Sequence, residues 1–336
     1  MTQPSVLLTL ALPEPAPTLI GEVADTRVLG RIPTTAELCQ LVAGGVDVLC
    51  TQLRDAITPD VLEAGLPRLR AVCNYAVGFN NVDVDAATQR RIAVGNTPGV
   101  LTDATADCAF ALLLAAARRI CEGDREVRAG RWHGWEPEYM LGLDLRDSLL
   151  AIIGFGRIGQ ALARRALACG MRVAYHDEQQ PPIDEDLAGR VSNIGLDDAL
   201  ENADVISLHV PLTDETRHLI DERALRRMKS TAVLVNTSRG PVVDEKALVH
   251  ALRDGWIAAA GLDVYEDEPN LASGLAERSN AVLAPHLGSA TVRTRAAMAE
   301  LVARNTRAAL AGRPLPHWVN PEAWAGGAPG PLIDAP

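Results

Sequence analysis

The chain has no surplus of positive charge. Its 32 Lys and Arg stand against 43 Asp and Glu, a formal net charge of -11. That balance argues against a polyanion-binding face, and so against RNA or DNA as a partner. It also has no C-x-x-C. Its six cysteines (Cys39, Cys50, Cys73, Cys108, Cys121 and Cys169) lie in apolar stretches and read as reduced small hydrophobes, which suits a cytoplasmic protein. The longest apolar run, Ala109 to Ala117, is far too short to span a bilayer. The opening "MTQPSVLLTLALPEPAP" has no basic n-region and meets prolines early, so it reads as a first strand rather than a signal peptide. No repeat of fixed period occurs, and no metal-ligand cluster is read.

What remains is 336 residues with 48% hydrophobic content, comfortable for two globular domains. Short apolar runs alternate with helical patterns, as in parallel sheets with crossover helices. Strands are predicted at Ser5–Leu10, Val46–Thr51, Leu69–Asn74 and Ile92–Gly95, with short helices over Thr58–Glu63 and Val84–Arg90. A long helix, opened by Thr102 and Asp103, is predicted to run through "ADCAFALLLAAARRI" without Gly or Pro. After the irregular "RAGRWHGWEPEYMLG", strands are predicted at Leu149–Ile153, Arg172–Tyr175, Val205–His209, Ala232–Asn236, Ala258–Asp263 and Ala281–Leu283. A helix over Thr291–Ala311 follows them. The Gly-, Pro- and Ala-rich stretch 321–336 reads as a flexible tail or one lying along a surface.

The chemistry concentrates after residue 149. "LLAIIGFGRIGQALARRAL" sets Gly154, Gly156 and Gly159 as G-x-G-x-x-G between an apolar strand and a helix. Alone the pattern is weak; between strand and helix it is a dinucleotide signature. Gly154 permits the tight turn, Gly156 lets backbone approach a pyrophosphate, and Gly159 lets helix pack on strand. Asp177 ends the next strand 177 − 154 = 23 positions beyond the first glycine, near the ~20 expected of a ribose-binding carboxylate. Glu178, Gln179 and Gln180 follow it and supply no cation for a 2′-phosphate, so the predicted cofactor is NAD(H) rather than NADP(H).

Further strand ends carry His209, Arg239, Asp263 and His286, with Glu268 shortly after Asp263. In parallel sheets ligands bind outside the carboxyl ends of strands. Each residue alone has an ordinary alternative: Arg239 a surface ion pair, Glu268 a solvated charge, His286 a hydrogen-bonded core histidine. Together a cation, a carboxylate and an imidazole make a reactive set. An arginine ending a buried strand also asks for an anion.

These residues lie in a series of motifs: "NYAVGFNNVDVDAA", "NTPGVLTDATADCAFALLLAAARR", "GFGRIGQALARR", "SLHVPLTDETRHLI", "LVNTSRGPVVDEKAL", "AGLDVYEDEP" and "LAPHLGSAT". From Val46 to Asn320 the chain resembles the D-isomer-specific 2-hydroxyacid dehydrogenases, nearest the glyoxylate/hydroxypyruvate reductase branch. The resemblance implies two Rossmann-like or flavodoxin-like α/β domains with parallel sheets. The substrate domain would be discontinuous (1–100 plus 288–320) and the dinucleotide domain would span 101–287. It implies Arg239 as substrate-binding arginine, Glu268 as the carboxylate of the catalytic set and His286 as proton donor. Leu53, Val77 and Gly78 would meet the substrate. Arg157 and Ile158 would meet the pyrophosphate, while His209, Val210, Pro211, Thr216, Thr237, Ser238, Asp263, His286 and Gly288 would approach the cofactor. The reaction implied is NADH-dependent reduction of a small 2-oxo acid by a homodimer joined through its cofactor domains, with Trp135 and Tyr139 on a segment that either reaches toward the partner's site or packs on its own domain. Two other functions exist on this fold. Phosphite oxidation fits less well, because that branch carries lysine where Val77 stands; an NAD-sensing corepressor-like protein is separable only by a turnover assay.

Overall fold

The computed structural model describes residues 3–333, which divide into two compact units: the chain up to Leu101 with the chain from Thr291 onward, and Thr102–Ala290.

The first unit is built on a five-stranded parallel sheet. Its strands are β1 (Ser5–Leu8), β2 (Asp25–Val28), β3 (Val48–Thr51), β4 (Ala71–Asn74) and β5 (Ala93–Gly95), in the order β2-β1-β3-β4-β5. Helices α1 (Ala16–Gly21), α2 (Thr35–Ala43), α3 (Pro59–Ala64) and α4 (Val84–Gln89) cross between them. Successive strand residues feed opposite faces, as the pleat requires. Val6, Leu8 and Val48 join one apolar cluster, Leu7 and Leu49 the other. β2, α1 and α2 lie where the sequence suggests only connection. β2 is an edge strand whose residues are largely exposed, so it carries no apolar run to read.

The second unit opens with α5 (Thr102–Ala117), which lies on the strands Val233–Asn236 and Ala259–Leu262. The expected long helix does not continue through Arg119. That residue has φ +53°, and a second helix, α6 (Ile120–Arg128), starts beyond it with none of its side chains buried. No glycine or proline marks the break; Arg119 is instead tied by a bidentate pair to Glu122 (2.8 and 2.9 Å).

A seven-stranded parallel sheet follows. It comprises β6 (Leu149–Ile153), β7 (Arg172–His176), β8 (Val191–Asn193), β9 (Val205–Leu208), β10 (Val233–Asn236), β11 (Ala259–Leu262) and β12 (Ala281–Leu283). Its order is β12-β11-β10-β9-β6-β7-β8. α7 (Arg157–Ala168), α8 (Leu196–Asn202), α9 (Glu222–Arg227) and α10 (Glu245–Asp254) connect the strands. Both faces are apolar: Ala151, Ile153 and Leu234 on one, Leu150, Ile152, Val233 and Val235 on the other. Full burial of one such Leu or Ile contributes about 1.5–3 kcal/mol.

The chain then returns to the first unit with α11 (Val292–Leu310), capped by the Thr291 hydroxyl, which accepts from Thr294 N–H. Of the two expectations for the tail, mobile or lying along a surface, residues 321–333 take the second. Trp324 is buried, donates from Nε1 to the Arg91 carbonyl and stacks edge-on with Trp318. Arg70 and Arg91 hold the Gly330 and Gly327 carbonyls, both at 2.6 Å. One tryptophan and two arginines hold the segment against its unit. The last three positions of that predicted tail lie outside the described residues.

Candidate active site

All seven strands of the second unit run the same way, so their carboxyl ends share one edge. The edge turns at β6 and β9, where the chain leaves β6 to one side for β7 and later returns on the other for β9. Crevices for ligands open at such a switch point. Gly154 stands there with φ +90°; a Cβ on it would lie 2.7 Å from the His209 carbonyl carbon. A Cβ on Gly159 would lie 2.5 Å from the Gly154 oxygen, so α7 packs directly on its own turn. Gly156 differs: it has an ordinary φ of −71°, and a Cβ there would meet nothing within 4 Å. Its fold does not need glycine, but a ligand approaching that backbone would. Arg157 and Ile158 begin α7, whose N-terminal N–H groups and dipole favour phosphate.

Asp177 lies just past β7 and grips this turn. Its Oδ2 accepts Phe155 N–H (2.7 Å) and its Oδ1 accepts Gln179 N–H (2.8 Å). Phe155 is fully buried and stacks on Tyr175 at 4.1 Å. Gln160, directly after Gly159, steadies the same turn by donating to the Phe155 and Pro182 carbonyls.

The loop after β9 holds His209, Val210, Pro211 and Thr216. Burial pulls the His209 imidazole down to about 4, so it is neutral at ordinary pH, and its Nε2 meets Ser207 Oγ at 2.8 Å. The Thr216 hydroxyl donates to the Pro211 carbonyl (2.6 Å) and closes the loop on itself. After β10, buried Asn236 turns the chain: its Oδ1 accepts from the Ser238 N–H and hydroxyl, and its Nδ2 donates to the Arg239 carbonyl (2.9 Å). Thr237 Oγ1 is buried and has no hydrogen-bond partner among the described residues. Such an orphan costs about 1–3 kcal/mol, a cost that a bound polar ligand would remove. The open Gly156 backbone, this hydroxyl and the carboxylate at Asp177 together fit a nicotinamide dinucleotide.

Arg239 follows. Burial lowers its guanidinium from the ordinary value, and the Glu268 charge opposes that shift. Glu268 and His286 form a pair, with His286 Nδ1 2.9 Å from Glu268 Oε2. An ionised carboxylate only accepts, so the proton sits on Nδ1 and Nε2 is the nitrogen left to serve a substrate. Burial pushes the Glu268 carboxyl up. The bond and charge of His286, the Tyr265 N–H and Arg239 outweigh it, and the group sits below its usual value. Tyr265 N–H donates to Glu268 Oε1 (3.1 Å), while its hydroxyl donates to the Ala284 carbonyl (2.9 Å).

His286 has φ +55°, a conformation retained only where surroundings enforce it. Asp263 enforces it. The Asp263 carbonyl accepts His286 N–H (3.0 Å); its two carboxylate oxygens accept Leu287 N–H (2.6 Å) and Gly288 N–H (2.7 Å). Burial raises the Asp263 carboxyl above its ordinary value against those two N–H bonds. Asp263 is thus first a clamp on the histidine loop.

Leu53, Val77 and Gly78 belong to the first unit, at the carboxyl edge of its sheet. Asn74 Nδ2 donates to the Gly78 carbonyl (2.9 Å) and Asn96 Nδ2 to the Val77 carbonyl (2.8 Å). Asn81 Nδ2 donates to the Gln52 and Asp55 carbonyls (3.2 and 3.1 Å), fixing the turn that carries Leu53. Asn74, Asn81, Asn236, Gln160 and Tyr265 lie within the motifs, but residue type and spacing do not mark them as props; the structure shows the bonds by which they hold the neighbouring loops.

Residues 110–288 match the model of the D-isomer specific 2-hydroxyacid dehydrogenase NAD binding domain. The chain is 47% identical over 324 residues to a glyoxylate reductase of Thermococcus litoralis, covering 95% of this chain and 97% of that one. A solved protein of Thermus thermophilus superposes with a TM-score of 0.87 at 44% identity, over 94% of this chain and 99% of that one. An NADPH-dependent glyoxylate/hydroxypyruvate reductase of Sinorhizobium meliloti, solved with NADP and malonate, gives 0.83 at 34% identity, over 96% and 98%. The chain belongs to the D-isomer specific 2-hydroxyacid dehydrogenase family. It is a nicotinamide-dependent oxidoreductase, and among its described residues no helix is long and apolar enough to cross a membrane.

Proposed function

We propose that the protein reduces a small 2-oxo acid, glyoxylate or hydroxypyruvate, to the D-2-hydroxy acid with NADH in the cytoplasm. The carrying observation is the Glu268–His286 hydrogen bond on the same sheet edge as Arg239 and the glycine turn; relatives named glyoxylate reductase support the substrate class. When bound, the reduced nicotinamide supplies hydride to C2. His286 Nε2 gives a proton to the oxygen formed there, and ionised Glu268 stabilises the imidazolium and holds the ring. The Arg239 fork takes the substrate carboxylate and the adjacent carbonyl oxygen. Leu53 and Val77, both apolar and moderate in size, suit a small substrate, and the Val77–Gly78 backbone N–H groups serve its carboxylate. In this reading the first unit is the substrate domain and Thr102–Ala290 the cofactor domain, its lining including Gly154, Gly156, Gly159, Asp177, Thr237 and Gly288.

Asp177 supports NADH over NADPH, since its carboxylate would repel a 2′-phosphate and offers no donor. A member of the family solved with NADP makes this a point for measurement. The test is kcat/KM with glyoxylate and each cofactor, for the native enzyme and Asp177→Ser. NADH should be favoured about tenfold or more, about 1.4 kcal/mol, and the substitution should shrink the ratio. Equal use of both cofactors would remove Asp177 from this role; cofactor binding without turnover would favour a sensor. A homodimer is supported by the second unit's uncovered apolar surface: Ile120, Val127, Trp132, Trp135, Tyr139 and Leu141 are all exposed. A monomeric mass by light scattering would overturn that assembly.

A further inference from the structure

Glu268 sits in an irregular segment between β11 and β12, and no regular element fixes its carboxylate. A second carboxylate underlies that segment. Glu245, the first residue of α10, is 5% exposed. A carboxylate at a helix start is ordinary, since the dipole favours it, yet this one does not cap its own helix; Asp244 does so, accepting Ala247 N–H (3.0 Å). Glu245 instead reaches 21 and 27 residues along the chain. Its Oε2 accepts Glu266 N–H and its Oε1 accepts Ala272 N–H, both at 2.8 Å. The two donors bracket Glu268. In return Glu266 Oε2 accepts Glu245 N–H (3.3 Å), and Glu266 Oε1 meets His218 Nε2 (2.7 Å).

The Tyr265–Glu266 peptide is therefore held from two sides. Its N–H is taken by Glu245, and its carbonyl lies against Gly240, where a Cβ would come within 1.9 Å of the Tyr265 carbon and oxygen. Gly240 follows Arg239 directly, and Tyr265 N–H holds Glu268 Oε1. Resting on the proposed Glu268–His286 pair, we propose that Glu245 is a positioning residue: its buried carboxylate sets where Glu268 stands relative to His286 and Arg239.

The test is a double-mutant cycle between Glu245→Gln and Glu268→Gln, read in kcat, with cofactor Kd and the melting curve measured alongside. Glutamine keeps the shape of Glu245 but accepts through one oxygen only. Glu245→Gln should lower kcat about tenfold, as misplacement of a reacting group does, with cofactor Kd unchanged. In the Glu268→Gln background it should cost less than about twofold, because nothing remains to be positioned. Its downfield His286 Nδ1–H proton resonance should shift or broaden. Where the glutamine variant fails to fold, Glu245→Asp, which keeps the charge and shortens the reach, should give the same coupling. Full, multiplicative losses in the double variant would overturn the proposal, as would native kcat in Glu245→Gln. Native kcat in Glu268→Gln alone would sink the underlying pair, and the proposal with it.

Discussion

The two sheets share one construction and present opposite chemistry at their carboxyl edges. At the edge of the seven-stranded sheet, carboxylates accept backbone N–H groups, so charged side chains and their loops hold each other. Leu287 and Gly288 N–H groups hold Asp263, Tyr265 N–H holds Glu268, and Phe155 N–H holds Asp177. At the edge of the five-stranded sheet, the props are mainly neutral amide side chains that donate to backbone carbonyls. Asn74 and Asn96 take the Gly78 and Val77 carbonyls, Asn81 takes those of Gln52 and Asp55, and buried Asp55 accepts Gln52 N–H (2.9 Å). The first edge delivers charged groups whose protonation and aim matter. The second delivers neutral peptide groups whose orientation matters. Losses should therefore fall on turnover in one and on substrate affinity in the other.

The largest effect tests the charged edge. His286→Ala should lower kcat about a hundredfold or more while leaving the melting temperature and cofactor affinity near native. In the proposed reaction His286 gives a proton during reduction and takes one back during oxidation, so both directions should lose turnover in this variant. Near-native turnover in His286→Ala would remove the proton donor from this reading.

The glycine turn separates folding from binding within a single motif. Gly156→Ala meets no atom within 4 Å and keeps an allowed φ, so stability should change by less than about 0.5 kcal/mol. Its cofactor Kd should nonetheless rise about tenfold, about 1.4 kcal/mol. Gly154→Ala, at φ +90° and 2.7 Å from the His209 backbone, should lose about 1–3 kcal/mol of stability as well. Isothermal titration beside thermal melts separates the two. A tight-binding Gly156→Ala would leave that open backbone without a ligand.

This contrast also explains what could be read from residues alone. Leu149–Ile153 is legible because an inner parallel strand is a continuous apolar run, and Ala281–Leu283, although an edge strand, is legible because its residues are all apolar. β2 and β8 are not, for both are short strands with largely exposed residues. The break at Arg119 escapes notice because an ion pair and a positive φ, rather than Gly or Pro, set it. Arg239 and His286 stand out because they follow apolar strands closely, and Glu268 because it lies in the motif that begins at the end of another. Their supports do not: Asn236 and Tyr265 act through short-range bonds that residue type does not announce, and Glu245 takes backbone N–H groups 21 and 27 residues away that only the fold brings to it.

The smallest effect belongs to the neutral edge. Asn81 links the turn carrying Leu53 to Asn74, whose Nδ2 donates to Asn81 Oδ1 (3.1 Å) and to the Gly78 carbonyl (2.9 Å). Asn81→Ala removes donors from the Gln52 and Asp55 carbonyls and one acceptor from Asn74. Neither carbonyl is charged, so each lost bond is a neutral one, worth about 0.5–1.5 kcal/mol. Part of that loss falls on overall stability and part on the aim of Leu53 and Gly78. KM for the oxo acid should therefore rise about three- to fivefold, with kcat and cofactor Kd near native. Steady-state kinetics at saturating NADH measures this directly. If kcat fell and KM held, the five-stranded edge would be acting on the chemical step, and the division of labour between the two edges would be wrong.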